Sequence, residues 1–248
     1  MNCILLPSSQ IAQSSATITN ALQIAHINTV LNAQIGDSIK IGEIGGNLGS
    51  AIIQDILPNA ISLTALTLTE APPAKLDLTV VLALPRPKVL RRLIMDMTAI
   101  GVRDIILVNS YRTQKSYWQS PMLKRLDEFV LEGLQQGVDT IAPSITLKPR
   151  FKPFIEDDFA ALQPRQAIVA HPYADMSLKR YLQYQGAVPN SNLLPNVVFI
   201  GAEGGWIDFE IALLAAHGCQ AISFGSRILR TEAAVNAILG QWLLSSAE

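Results

Sequence analysis

The sequence predicts an α/β protein in two parts: a small β-barrel over residues 1–72, then, over residues 73–248, a mostly parallel sheet with helices on both faces. Three observations carry this reading. Residues 1–72 hold short runs rich in Ile, Leu, Thr, Gly and Asn, punctuated by Gly45-Gly46 and Pro58-Asn59. A stiff break follows at Ala71-Pro72-Pro73, since proline fixes its own φ and restricts the residue before it. Beyond the break, apolar runs of strand length alternate with segments of helical period, as in sheets buried under helices.

Taken in order, Ser38 to Ile44, Leu48 to Ile53 and Ala60 to Leu68 read as the barrel strands, because short β-rich runs between turn residues suit that architecture. Leu78 to Leu84 is then a buried strand. Pro87 to Ile100 is a helix that Gly101 ends, Asp104 to Val108 a strand, and Pro121 to Gln136 a helix that Gly137 ends. Ala167 to Ala170, Val197 to Ile200 and Ala221 to Phe224 are further strands. A helix runs from about Asp208 to Ala216 and closes at His217-Gly218, where a cation suits the helix dipole; the last helix covers about Thr231 to Leu244.

At 248 residues and 49% hydrophobic, the chain can bury a substantial core. No segment approaches the roughly 20 apolar residues of a membrane span, and no cationic stretch precedes an apolar run at the amino terminus. Cys3 and Cys219 fall in different predicted domains, and neither has metal-ligand spacing. Three histidines, His26, His171 and His217, leave little for a His-rich metal site or a Ser/His/Asp hydrolase. The expectation is a cytoplasmic protein without metal or membrane attachment.

The net charge of −1 conceals an uneven distribution. Residues 1–72 carry one basic residue against four acidic ones, whereas residues 73–152 carry thirteen against seven, a net of +6. Concentrated positive charge is the footprint expected of a phosphate-binding face, with an ordinary solvated face as the alternative.

Three segments follow strands at their carboxyl ends, where α/β sheets bind ligands. They are His171-Pro172-Tyr173, Gly201-Ala202-Glu203-Gly204-Gly205-Trp206, and the run from Phe224 to Glu232. The glycine turn is neither GxGxxG nor GxxxxGK[ST], and no acidic ribose ligand follows an early fingerprint. That disfavours an NAD-type oxidoreductase or an NTP site. A tight strand-to-helix turn with Asp208 near the helix start remains the structural alternative. The third loop sets Arg227, Arg230 and Glu232 at the mouth of a helix, either as a site or as ion pairs.

The order VLALPRPKVLRRLIMDMTAIGV, SYR, IGAEGGW and FGSRILRTEAA before a terminal helix resembles the RsmE family of 16S rRNA uracil-N(3) methyltransferases, in the SPOUT superfamily. His26-Ile27-Asn28-Thr29-Val30-Leu31 matches that family's HxxxVL segment, so the resemblance covers nearly the whole chain. It implies a SPOUT-type knotted parallel sheet preceded by a PUA-like β-barrel that binds RNA. It also implies that S-adenosyl-L-methionine (SAM) lies against His171, Ile200, Gly201, Gly205, Phe224, Gly225, Ile228 and Leu229.

Partners implied are 16S rRNA or the small ribosomal subunit, and a second copy of the chain. Ala233, Ala234, Ala237, Ile238, Trp242 and Leu243 recur at helical spacing as the expected dimer contact. Uracil nitrogen 3 must lose a proton, so Arg230 is expected to stabilise the anionic uracil and Glu232 to accept the proton. Glu203 is the second candidate base, or else a cap of the helix after it. Arg86, Lys88, Arg91, Arg92, Arg112 and Lys115 are expected to hold RNA phosphates. The family's GPEGG is GAEGG here, LGPRILRTETA is FGSRILRTEAA, EQSGR appears as Leu134-Gln135-Gln136-Gly137-Val138, and Asn32 stands where Arg is common. These departures leave open an inactive RNA-binding or ribosome-assembly protein that keeps the SAM pocket.

Overall fold

The structure, a computed structural model, describes residues 1–186 and 194–245. Two compact units are present: residues 1–74 with 130–142, and residues 75–129 with 143–248.

The first unit holds one five-stranded sheet in the order β1-β3-β4-β5-β2. Its strands are β1 (Ile4–Leu6), β2 (Ala16–Ile18), β3 (Ser38–Glu43), β4 (Leu48–Leu57) and β5 (Ala60–Glu70). β1 runs parallel to β3 and the other pairs are antiparallel. Inward residues alternate along the strands, as a half-buried sheet requires. Ile4, Leu6, Ile18, Ile41, Ile53, Ile61 and Leu63 pack beneath α1 (Ala21–His26), which supplies Ile24, and the wider turn Ile27–Leu31 that follows it. β4 and β5 slip register at three places, and Ala65 within β5 has φ +50°, so the ribbon is bulged.

The segment 130–142 is tied into this unit by two buried glutamines. The Gln135 carbonyl accepts from the amides of Asn2 (2.8 Å) and Cys3 (3.1 Å). Gln23 Nε2 donates to the Leu5 carbonyl (2.8 Å) and to Gln135 Oε1 (2.9 Å). Gln135, part of the Gln135-Gln136 pair that departs from the family pattern, thus has a folding role in this chain: its side-chain oxygen accepts from buried Gln23 and from the Leu5 amide of β1. Asn32, another departure, takes φ +49° at the end of the turn Ile27–Leu31, a conformation asparagine tolerates better than arginine.

The second unit is a six-stranded sheet in the order β11-β9-β10-β6-β7-β8, parallel throughout. The strands are β6 (Leu76–Ala83), β7 (Val102–Val108), β8 (Ser144–Lys148), β9 (Ala167–Ala170), β10 (Val197–Ile200) and β11 (Cys219–Ile222). β6 and β10 lie in the middle and read as nearly continuous apolar runs because both their faces are covered. The helices are α2 (Pro87–Ile100), the first residues of α3 (Leu126–Gly137), whose remainder belongs to the first unit, a short α4 (Phe151–Pro153) prolonged by irregular turns to Leu162, α5 (Leu178–Gly186), α6 (Asp208–Ala216) and α7 (Thr231–Ser245). Proline at its first position and left-handed Gly101 (φ +92°) bound α2. Leu90, Leu93, Ile94 and Met97 form its buried face, and Lys88, Arg91 and Arg92 are exposed.

Three sequence expectations are corrected. The helix expected from Pro121 begins as a 3-10 turn over Pro121–Arg125 and becomes α-helical only at Leu126. Gly137 does not end α3; it is the last helical residue, and Val138 takes the left-handed position at φ +56°. The last strand, expected over 221–224, pairs over Cys219–Ile222. Ser223 already bonds to the chain before α5, through its amide to the Met176 carbonyl (2.8 Å) and its carbonyl to the Leu178 amide (3.0 Å), so Phe224 leaves the sheet.

At the amino ends of β6 to β8, Arg103 pairs with Asp77 and with Asp104 (2.8 Å), Arg165 reaches Asp77 (2.5 Å), and Ser144 donates to Asp104 (2.7 Å). Burial pushes the Asp77 and Asp104 carboxyls up, yet these hydrogen bonds and arginine charges outweigh it and hold both below the usual range. Cys3 and Cys219 are buried at 2% and 5% exposure, one in each unit, and burial pushes both thiols up to about 12.

Candidate active site

The carboxyl ends of β9, β10 and β11 open onto a cavity of about 290 Å³ in the second unit. Its walls come from the three loops singled out in the sequence. His171, Ile200, Gly201, Gly205, Phe224, Gly225, Ile228 and Leu229 all line it. Ala202, Trp206, Thr231 and Ile238 form its buried part, whereas Tyr173, Ile228 and Leu229 are exposed.

The first loop is a tight turn: His171 donates its amide to the Ile222 carbonyl (3.0 Å), and the Ala174 amide closes back on the His171 carbonyl (3.2 Å). In the second, Gly205 has φ +67° and donates to the Ala202 carbonyl (2.9 Å). A Cβ on Gly204 would meet the Cβ of Arg112 at 2.8 Å, so this glycine lets the arginine stem lie against the loop backbone. In the third, Gly225 has φ +126°, which starts the turn away from β11.

Polar bonds tie the glycine loop to its neighbours. Arg112, after β7, donates to the Gly204 carbonyl. Glu203 Oε1 accepts the amide of Arg86 (3.1 Å), with the Arg86 guanidinium 3.9 Å away. Glu203 therefore holds the residue before α2 and does not cap the helix that follows it. Glu210, 2% exposed, accepts the Tyr111 amide (2.8 Å) with one oxygen and the Ile207 amide (2.9 Å) with the other. The buried carboxylate fixes the loop after β7 to the start of α6; Asp208 is the first helical residue, and Ile207 precedes it. A glutamate three residues into a helix is a recognisable sequence signal, and here it marked a residue that the motifs passed over.

The expected reacting residues are placed differently. Arg230 is exposed just before α7 and Glu232 is half-buried in its first turn, while buried Thr231 between them lines the cavity. Neither Arg230 nor Glu232 is among the lining residues. The basic residues divide: Arg112 lines the cavity and Arg86 adjoins it through Glu203, Lys88, Arg91 and Arg92 occupy the exposed face of α2, and Lys115 starts an exposed 3-10 turn. On α7, Ile238 and Trp242 are buried within their own chain, and Ala233, Ala237 and Leu243 are exposed. Among the described residues no group of three His, Cys, Asp or Glu could hold a metal, and no helix is long and apolar enough to cross a membrane.

Known proteins are similar to this chain in sequence and in fold. Ribosomal RNA small subunit methyltransferase E of Treponema pallidum is 28% identical over 242 residues, covering 96% of this chain and 88% of the relative. The protein of that name from Synechocystis sp. is 28% identical over 239 residues, covering 96% and 76%. Among solved structures, that methyltransferase from Neisseria gonorrhoeae, bound to S-adenosyl methionine, superposes with a TM-score of 0.73 at 19% identity, covering 99% of this chain and 98% of the other. The family model described as "RNA methyltransferase domain" matches residues 72–243, the part of the chain that builds the cavity; the chain belongs to that family.

Proposed function

We propose that this chain is a SAM-dependent methyltransferase acting on N3 of a uridine in 16S rRNA, as free RNA or within the small ribosomal subunit. The convergence of three strand-end loops on one cavity carries the reading. All eight residues expected to hold the cofactor line that cavity. The groups present suit SAM. Ile200, Leu229, Ile238 and the Trp206 ring offer flat apolar walls for an adenosine and a thioether-like chain, and the turns at Gly201–Gly205 and Phe224–Gly225 offer backbone donors and acceptors. SAM, when bound, supplies an electrophilic methyl group on a sulfonium. The chain's own task is to align a nucleophile with it and exclude water. Within this reading the first unit is a PUA-like RNA-binding barrel, and the pairing of Ser223 with the chain at Met176–Leu178 belongs to a SPOUT knot. The exposed alanines of α7 then face a second copy, and the enzyme works in the cytoplasm.

For the chemistry, Arg230 stabilises the uracil anion and Glu232 accepts its proton once RNA is bound. Their positions outside the cavity lining favour one second reading: a non-catalytic RNA-binding or ribosome-assembly protein that retains the pocket. Calorimetry with SAM and its demethylated product, followed by mass mapping of 16S rRNA treated with the protein, separates the two. Binding with methylation at uridine N3 supports the enzyme, and binding without turnover supports the scaffold. Glu232→Gln is expected to leave both affinities unchanged and to lower the rate by a factor on the order of 10²–10⁴.

A further inference from the structure

We infer that Tyr173 is a stacking platform for the RNA base presented to the cavity, a specificity contact that rests on the reading of the cavity as a SAM and RNA site. Tyr173 lines the cavity yet is 74% exposed. Exposure alone is ordinary for a tyrosine; what sets Tyr173 apart is that it lines the ligand cavity, where its ring is open to whatever enters.

The ring is held on a rigid support. Pro172 fixes one φ within the His171–Ala174 turn, and that turn is closed at 3.2 Å and tied to Ile222 at 3.0 Å. On its far side the Ser223–Met176 bond at 2.8 Å anchors the chain again. His171 lies against the ring, with centroids 5.9 Å apart and planes at 67°, an edge-to-face contact that fixes orientation without covering the ring. Tyr173 also borders a second depression of about 410 Å³ with Asp175, Arg180 and Gln220, so open space adjoins it on that side as well.

The cavity has a buried part and an open one. The inner walls are nearly closed to solvent: Ile200 and Ile238 are 2% exposed and Trp206 is 5%. They suit the apolar parts of the cofactor. Tyr173 stands at the open margin, where a base splayed out of an RNA strand would arrive. Arg112, which lines the same cavity from against the Gly204 backbone, adds a cation for the phosphate of that nucleotide. A flat aromatic face with a nearby cation is the pairing by which proteins hold unpaired nucleotides.

The test uses the full chain with small-subunit rRNA as substrate and compares Tyr173→Phe with Tyr173→Ala. The inference expects Tyr173→Ala to raise the KM for RNA about tenfold or more, the size of one lost base–aromatic stack. Tyr173→Phe should keep that KM within about twofold, and the Kd for SAM and the thermal midpoint should stay at wild-type values in both. A parallel rise in the Kd for SAM would mean that the ring serves the cofactor and would overturn the inference. So would an unchanged RNA KM in Tyr173→Ala, or a Phe variant as poor as the Ala variant. Failure of wild-type protein to bind SAM or to methylate RNA would sink the functional reading itself, and this inference with it. Changes confined to the Tyr173 variants of an active enzyme bear on the stack alone.

Discussion

At the scale of single residues, two Gly-Val pairs show how far local sequence reaches. Gly101-Val102 and Gly137-Val138 both follow a helix and look alike. Gly101 takes the left-handed turn and Val102 starts β7, but Gly137 stays helical and Val138 turns, with the Asp139 amide bonded back to the Leu134 carbonyl (3.1 Å). The choice at 138 is set by what the segment must reach: buried Asp139 and Thr140, whose hydroxyl and carbonyl bond the Gly46 carbonyl and the Gly45 amide. A β-branched residue there is strained by about 1–2 kcal/mol, while glycine loses somewhat less in entropy. Val138→Gly should therefore raise stability by roughly 0.5–1 kcal/mol in urea titration, with Val138→Ala gaining less. A loss of stability would mean that the valine side chain contributes packing that outweighs the strain.

At the scale of elements, those with clear punctuation or unbroken apolar runs were legible: α2 with its proline and glycine, α6 ending before His217-Gly218, and the apolar runs β9 and β10. The short strands β1 and β2, three residues each, gave no pattern to read, and β8 is a largely exposed edge. Their existence depends on pairing partners distant in sequence. So does the ion network at the amino ends of β6 to β8, and it has a pH signature. Asp77 and Asp104 have carboxyls below their ordinary range, so they contribute stability above the unfolded value near pH 3.9 and lose it as pH falls through the folded one. Both are partly exposed, so water screens the effect and it is small. The urea midpoint should drop as pH falls below about 4, and Arg103→Ala should flatten that slope. An equally steep slope in the variant would assign the acid sensitivity to other carboxylates.

At the scale of the whole molecule, net charge says little and its distribution much. The +6 over residues 73–152 includes Lys88 and Arg92, one turn apart on the exposed face of α2. If that face meets single-stranded phosphates, replacing both with alanine should weaken RNA binding and lower the slope of log K against log salt by about 1.4. An unchanged slope would make them ordinary surface charges. The cofactor side of the cavity was legible because glycines and apolar residues at strand ends announce themselves. The bond from Glu210 to the Tyr111 amide and the cavity-lining place of Thr231 were not, since they arise only when loops from β7, β10 and β11 meet.

One consequence follows from the two buried cysteines. With thiols near 12, both are protonated at neutral pH and shielded from alkylating reagents. Each becomes reactive only when its own surroundings open, and each unit contains one. The native chain therefore carries a separate chemical clock in each half, and the two alkylation rates time the breathing of each half without any added label.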